Sequence, residues 1–487
     1  MSSQLHQVTP PGYRDAIPTR SQRSLPGFPA ASFRAFLPAC GLSSHPVNST
    51  LGGKAGAGPA RVAVIGTGYV GLTTAVCLAH LGNTVTGVDV DEVKVARMSA
   101  GEPPILEEGL GELLREGLDA GRLTFSCDTA AAVQKSRFVF LCVPTPQGAD
   151  GAADLRFVEQ ASAQIAPHLE PGAVVVTKST VPVGSAGKVV AALGRDDVAV
   201  VSNPEFLREG RAVEDWLHPD RVVIGAEQAW AASALSALYE PLGAPTVVTD
   251  PASSETIKYA CNAFLAAKVS FVNSIANLCS AVGANATDVI AGMSFDHRIG
   301  ADHLAPGPGW GGSCFPKDTQ ALLRVAEDHG YRFELLEASI RANDAQFDTV
   351  ADMVASAAGG DISGVTVAAL GLTFKAATDD LRDSPAISVL SRLAARKARL
   401  RAFDPSRPSG GDPRLSGLGL EVCDDPYEAA RGADVVVVLT EWPEFAGLDL
   451  VHLAGVMEGR GLVDARNMID PGAAKAAGLV YVGMGRS

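Results

Sequence analysis

The chain has 487 residues, 47% of them hydrophobic and 19% charged, which is ample for two or three globular domains. A formal net charge of −14 argues against nucleic acid or an anionic membrane as partner, and leaves any phosphorylated ligand to locally clustered cations and backbone N–H groups. Eight scattered cysteines without a C-x-x-C pair argue against a zinc or thioredoxin-type site and a secreted disulfide framework, and point to a reduced, cytoplasmic compartment.

Residues 1–58 are rich in Pro, Ser and Gly, with several Arg against a single acidic residue, Asp15; they read as a disordered N-terminal extension. Residues 61–65 form a short apolar strand. Gly66-Thr67-Gly68-Tyr69-Val70-Gly71 follows it directly and opens a helix over 72–81. In that context Gly66 permits the tight turn, Gly68 admits a pyrophosphate to the backbone, and Gly71 lets helix and strand pack. The helix N-terminus offers N–H groups to phosphate. The next strand ends on Asp89, a carboxylate placed for the adenosine ribose hydroxyls and repulsive to a 2′-phosphate. The cofactor expected is NAD. Further apolar strands at 138–143, 174–177 and 198–201 alternate with helical patterns, as in a doubly wound parallel sheet.

Residues 254–282 carry apolar positions at helical spacing, with neither Pro nor Gly until Gly283, and predict a long helix that forms a spine between domains and a candidate subunit contact. No apolar run reaches the roughly 20 residues of a membrane span, so no membrane partner is expected. Lys258 and Asn262 share one face of the helix. The loop Gly307-Pro-Gly-Trp-Gly-Gly-Ser-Cys-Phe-Pro-Lys-Asp318 precedes a second helical pattern, so Cys314 lies at a helix N-terminus. The helix dipole and nearby Lys317 are expected to lower its thiol pKa; Asp318 lies one turn on. The other cysteines read as small buried hydrophobes. Alternation then resumes at 365–370, 400–404, 434–439 and 461–464. The prediction is an α/β fold of two Rossmann-like, doubly wound parallel-sheet domains joined by a long central helix. The expected boundaries are 59–250 for the NAD-binding domain, 251–350 for the central helical region, and 351–487 for the C-terminal Rossmann-like domain.

The cysteine segment resembles that of the UDP-glucose/GDP-mannose dehydrogenase family. Cys142-Val-Pro-Thr-Pro146, Ser179-Thr-Val-Pro-Val-Gly184, Ser202-Asn-Pro-Glu-Phe-Leu-Arg-Glu-Gly210, Lys258-Tyr-Ala-Cys-Asn262, Phe374-Lys375 and Arg382-Asp-Ser-Pro385 follow in that family's order. The resemblance spans about 61–470. It implies a four-electron oxidation of UDP-glucose to UDP-glucuronate, in which Cys314 forms a thiohemiacetal and then a thioester. By the same resemblance Lys258 and Asn262 stabilise oxyanion charge, Glu205 is the base for thioester hydrolysis, and Asp318 and Thr180 orient water or alcohol. Tyr69, Val70, Lys94, Thr145, Thr180, Glu209, Lys317 and Arg382 join Gly66, Gly68, Gly71 and Asp89 around NAD. The nucleotide sugar falls to Glu205, Phe206, Leu207, Arg208, Glu209, Lys258, Asn262, Gly309, Trp310, Gly311, Phe374, Lys375 and Arg466, with no metal. Arg298 matches an arginine supplied by a neighbouring subunit, which implies a homodimer or larger homo-oligomer.

Two positions depart from the family's pattern. His303 stands where Tyr or Phe is usual; it either binds phosphate as imidazolium or is an ordinary loop residue. Trp310 stands where Phe or Tyr is usual. Three other readings compete: the same chemistry on GDP-mannose or a UDP-N-acetylhexosamine, a two-electron hydroxyacid dehydrogenase, and a non-catalytic NAD-binding protein. The Arg298-Ile-Gly300 run and the Pro306-Gly-Pro-Gly309 loop favour UDP-glucose.

Overall fold

The computed structural model describes residues 59–148 and 151–486, so the expectation for 1–58 falls outside the described residues, as does Cys40. The N-terminal sheet is built from β1 (Arg61–Ile65), β2 (Thr84–Val88), β3 (Leu123–Ser126), β4 (Phe138–Leu141), β5 (Val174–Thr177), β6 (Ala199–Ser202), β7 (Val222–Ala226) and β8 (Thr246–Thr249). Their order is β3-β2-β1-β4-β5-β6-β7-β8. The strand order reverses between β1 and β4, and this opens a crevice at their carboxyl ends. All four residues of β4, β5 and β6 are buried, as expected of strands covered on both faces.

The sheet is not wholly parallel. β7 runs antiparallel to β6, and β8 runs parallel to β7. The connection 203–221 carries only the short helix Ala212–Leu217, and the chain returns along the sheet instead of crossing over it.

The second sheet contains β9 (Thr366–Leu370), β10 (Arg399–Phe403), β11 (Leu420–Val422), β12 (Val435–Val438), β13 (Gly461–Asp464) and β14 (Val480–Gly483), ordered β11-β10-β9-β12-β13-β14. Every pairing in it is parallel. Apolar layers cover both faces.

The long helix is Pro251–Val282. Asp250 accepts the Ser253 N–H at its start, Pro251 occupies its first turn, and Gly283 ends it with φ +73°. Its 32 residues extend about 48 Å at 1.5 Å per residue. It packs on β7 and on the helices Phe315–Asp328 and Glu334–Ala357. Among the described residues it alone is long and apolar enough by composition to cross a membrane, with a mean hydropathy of 1.3. The sequence pattern missed this because polar residues interrupt its apolar positions. Glu255, Lys258, Asn262 and Asn273 are buried on it, each hydrogen-bonded to other parts of the chain. The helix Glu334–Ala357 begins in the central segment, and its Phe347, Val350, Ala351 and Val354 enter the core of the second sheet.

Candidate active site

The dinucleotide cradle lies at the reversal point of the first sheet. Gly66 has φ +88°, and a Cβ there would stand 2.7 Å from the Cys142 carbonyl oxygen. The helix Tyr69–His80 starts at Gly68 with no side-chain cap and no acidic residue in its first turn. Its N–H groups therefore remain available for phosphate, and nothing would obstruct a Cβ on Gly68 within 4 Å. Asp89 Oδ2 accepts from Thr67 N (3.0 Å), Thr67 Oγ1 (2.7 Å) and Lys94 Nζ (2.6 Å). Burial opposes its ionisation, but Lys94 and Thr67 outweigh burial and bring its pKa down to about 2. An ionised carboxylate beside an uncapped helix start fits NAD.

Tyr69 continues from this cradle into the next loop. Its hydroxyl donates to Glu107 Oε2 and accepts from Gly210 N at 2.8 Å. Buried Glu107 also takes Gly210 N and Ala212 N, at 2.8 and 2.7 Å. The dinucleotide turn is thereby tied to the loop that carries Glu205 and Glu209. No pattern around Glu107 marks it in the sequence.

Cys314 is the N-cap of the helix Phe315–Asp328, with Pro316 in the first turn. The long helix brings Lys258 and Asn262 to it. Lys258 Nζ donates to Glu205 Oε1 at 3.0 Å; the two residues are 4% and 6% exposed. Glu205 Oε2 takes Leu207 N at 2.6 Å. Asn262 Nδ2 donates to Asp318 Oδ2 at 2.6 Å, and Lys317 Nζ to Asp318 Oδ1 at 2.6 Å. Burial disfavours the Lys258 ammonium, yet Glu205, Cys314 and Asp318 together hold its pKa above the usual lysine value. Burial likewise opposes the Glu205 carboxylate, and Lys258 with Leu207 N keeps it below the usual range. Lys258 is thus a fixed positive charge, suited to stabilising an oxyanion.

The expected depression of the Cys314 pKa is not found. Burial, then Glu205, pushes the thiol up to about 11 despite Lys258. Lys317 gives its charge to Asp318, so Lys258 is the cation that acts on sulfur. Ser313 Oγ lies 3.6 Å from the sulfur and donates to Glu209 Oε1 at 2.7 Å. Burial, then Asp380, raises the Glu209 pKa to about 7. Arg382 holds Asp380 through both carboxylate oxygens and reaches Glu209 at 3.4 Å. Asp380 and Ser313 are not among the expected site residues, although Ser313 lies within the cysteine segment and Asp380 two residues before Arg382.

The cysteine loop is clamped between two helices. Trp310 Nε1 donates to Ser270 Oγ (2.8 Å), Trp310 N to Asn343 Oδ1 (2.8 Å), and Gly307 N to Asn273 Oδ1 (2.8 Å). The Trp310 indole is buried, so this residue shapes the loop and does not offer its ring to a ligand. The second sheet closes on the same loop. A Cβ on Gly311 would fall 2.0 Å from the backbone oxygen of Asp383, and one on Gly307 2.9 Å from the Arg466 guanidinium. Gly309 lies against Phe347. Gly311→Ala is expected to destabilise the protein by about 1–3 kcal/mol, because a backbone oxygen cannot move aside as a side chain can; urea denaturation measures this.

The remaining expected residues occupy the rim. Thr145 Oγ1 donates to the Thr180 carbonyl at 2.9 Å; the structure assigns no partner to the Thr180 hydroxyl. Phe206 lies under the Arg221 guanidinium at 3.6 Å, with Lys258 at 5.4 Å. Lys375 stands over Phe374 at 5.5 Å. Arg466 is held by the Leu439 carbonyl (2.9 Å) and Glu441 (3.1 Å). Arg208 is paired with Asp215. His303 has φ +60°; burial lowers its pKa, and Lys268, Arg208 and Lys375 nearby lower it further. Asp302 opposes this, but burial and the three cations prevail, so the ring favours its neutral form over the imidazolium. Arg298 is not brought to the site of its own chain: it is exposed and paired with Asp296.

Residues 60–243, 252–345 and 368–471 match in turn the NAD binding domain, the central domain and the UDP binding domain of the UDP-glucose/GDP-mannose dehydrogenase family. A UDP-glucose 6-dehydrogenase of Rhizobium meliloti (strain 1021) is 45% identical over 436 residues, covering 88% of this chain and 99% of that protein. The chain belongs to the UDP-glucose/GDP-mannose dehydrogenase family. A UDP-glucose 6-dehydrogenase of Pseudomonas aeruginosa is 43% identical over 88% of this chain and 97% of its own. Among solved structures, a UDP-glucose dehydrogenase from the hyperthermophilic archaeon Pyrobaculum islandicum superposes with a TM-score of 0.81 at 37% identity, over 89% of this chain and 99% of that one. A UDP-D-ManNAc dehydrogenase from Pyrococcus horikoshii gives 0.78 at 28% identity, over 88% and 99%. In this family member the cradle around Gly66 and Asp89 lies in the NAD binding domain, the pair Lys258 and Asn262 in the central domain, and Lys375 and Arg466 in the UDP binding domain.

Proposed function

We propose that this chain oxidises UDP-glucose to UDP-glucuronate in two successive two-electron steps, with Cys314 holding the intermediate. The observation that carries this reading is the thiol itself. It sits at a helix start, flanked by Lys258, Asn262 and Asp318, in the seam between the two sheets. A dehydrogenase that stops at one oxidation has no use for a nucleophile there. NAD, when bound, accepts a hydride in each oxidation. Cys314 adds to the aldehyde and retains it; Lys258 and Asn262 face the oxygen as negative charge develops. Glu205, kept ionised beside Lys258, is placed to take a proton from the water that cleaves the thioester. Asp318 fixes Asn262 and Lys317.

The nucleotide sugar spans to Lys375, Arg208 and Arg466. The working unit is a homodimer or a larger homo-oligomer. Phe264, Phe271 and Leu278 recur every seven residues along the long helix, 70%, 55% and 55% exposed, and make an apolar stripe suited to a second copy. Arg298 is exposed beside the helix, where release from Asp296 lets it serve a neighbour's site. Phe264→Asp with Phe271→Asp is expected to yield monomers by sedimentation and a raised KM for UDP-glucose. The seven cysteines among the described residues are free thiols and suit a cytoplasmic enzyme; the acidic surface favours neither nucleic acid nor membrane.

The test is purified protein with NAD and a panel of nucleotide sugars. Two NADH per UDP-glucose and UDP-glucuronate as product are expected. One NADH per sugar would defeat the four-electron reading; turnover of GDP-mannose but not UDP-glucose would defeat the substrate.

A further inference from the structure

We infer that Ser313 passes the Cys314 thiol proton to Glu209, which holds this proton while sulfur is bonded to the sugar. This rests on the covalent role proposed for Cys314.

The thiol needs an acceptor, because burial and Glu205 hold it protonated. Three carboxylates stand near enough to be considered. Glu205 has one oxygen on Lys258 and the other on Leu207 N. Asp318 has one on Lys317 and the other on Asn262. Each of these four oxygens already accepts one N–H, and neither carboxylate is hydrogen-bonded to the cysteine side chain. Glu209 is different. It accepts from Ser313 Oγ at 2.7 Å, and that same oxygen stands 3.6 Å from Sγ. A hydroxyl that donates to a carboxylate keeps its lone pairs free to accept from S–H. The chain Sγ–H, Oγ–H, carboxylate is therefore continuous.

The far end of the chain is built to hold a proton. The Asp380 carboxylate, held by Arg382 through both oxygens, stands near enough to Glu209 to disfavour a second negative charge there, so Glu209 takes up a proton readily. Arg382 faces both, and Lys375 faces Glu209 from the same loop of the second sheet. The resulting pKa near 7 suits an acceptor that must also give the proton back.

The transfers balance. The S–H bond breaks as Ser313 Oγ takes its proton and gives its own to Glu209. Sulfur bonds to the aldehyde carbon, and the carbonyl π pair moves to oxygen beside Lys258 and Asn262. When water cleaves the thioester, the C–S bond breaks and the proton returns from Glu209 through Ser313 to sulfur. The relay neither gains nor loses electrons.

The experiment separates the half-reactions by supplying either UDP-glucose or the UDP-linked 6-aldehyde with NAD, in single turnover across pH. Wild-type aldehyde oxidation should rise with pH through about 7, as Glu209 becomes able to accept. Ser313→Ala should slow this step about 10²-fold and remove that limb, leaving alcohol oxidation nearly unchanged, while Ser313→Thr restores both. A purely packing role for Ser313 would move neither the limb nor the ratio of the two steps. A proton inventory of the wild-type aldehyde step gives a second measure: a bowed plot is expected from two protons in flight, and a linear one overturns the relay. If Cys314→Ala blocks aldehyde oxidation while Ser313→Ala leaves rate and limb intact, the relay alone fails. If Cys314→Ala oxidises the aldehyde normally, the covalent reading fails and the relay with it.

Discussion

Cys314→Ala is expected to abolish UDP-glucuronate formation, by at least about 10³-fold, while still allowing UDP-glucose to bind and lose its first hydride. The substitution removes only sulfur. Lys258 keeps its bond to Glu205, and Asp318 its bonds to Asn262 and Lys317, since none of these passes through the thiol. The first oxidation needs a bound alcohol, a proton acceptor and bound NAD; the second also needs a tetrahedral centre from which a hydride can leave. Without the thiol, that centre forms only by slow hydration of the aldehyde. Rapid-quench analysis should show NADH levelling off near one equivalent, with aldehyde captured by hydroxylamine. Two equivalents at an undiminished rate would remove Cys314 from the mechanism.

Lys258→Met is expected to cost both rate and stability. Loss of an oxyanion-stabilising donor corresponds to about 10²–10³ in kcat. Removing one partner of a buried ion pair costs about 3–5 kcal/mol, because Glu205 is left as an uncompensated charge. The two losses should separate in the double variant. Lys258→Met with Glu205→Gln recovers much of the stability in urea denaturation, since no buried charge is stranded, yet regains no activity. If the double variant is as unstable as the single, the pair is not what holds that part of the fold.

How far the sequence discloses this molecule depends on the range of the forces involved. The Gly66 turn, the stop at Gly283 and the position of Cys314 at a helix start are decided within a few residues, so their patterns are legible; the start of the long helix at Pro251, three residues before the expected 254, is not. The direction of β7 and β8 is not, because it depends on how residues 203–221 cross space. The thiol pKa shows the same divide. Read locally, the helix dipole and Lys317 govern sulfur; in the fold, burial and Glu205, distant in sequence, govern it, and Lys317 is occupied by Asp318. His303 reads as a candidate cation until burial, and then the surrounding Lys268, Arg208 and Lys375, make a neutral ring preferable. Trp310 looks like a ligand contact because of its motif; only the fold shows its N–H directed at Ser270. Asp380 carries no signal of its own, since its charge bears on Glu209 only once the fold brings the two carboxyls together.

The close approach of Gly311 to Asp383 has a consequence for how tolerance to mutation is distributed. A position squeezed between the cysteine loop and the second sheet answers to both, so a change acceptable to one is vetoed by the other. Gly307, against Arg466, is under the same double constraint. In a saturation scan, the least replaceable positions should therefore not form a sphere around sulfur. They should trace a line along the junction of the two sheets, with the chemistry occupying a single point on it.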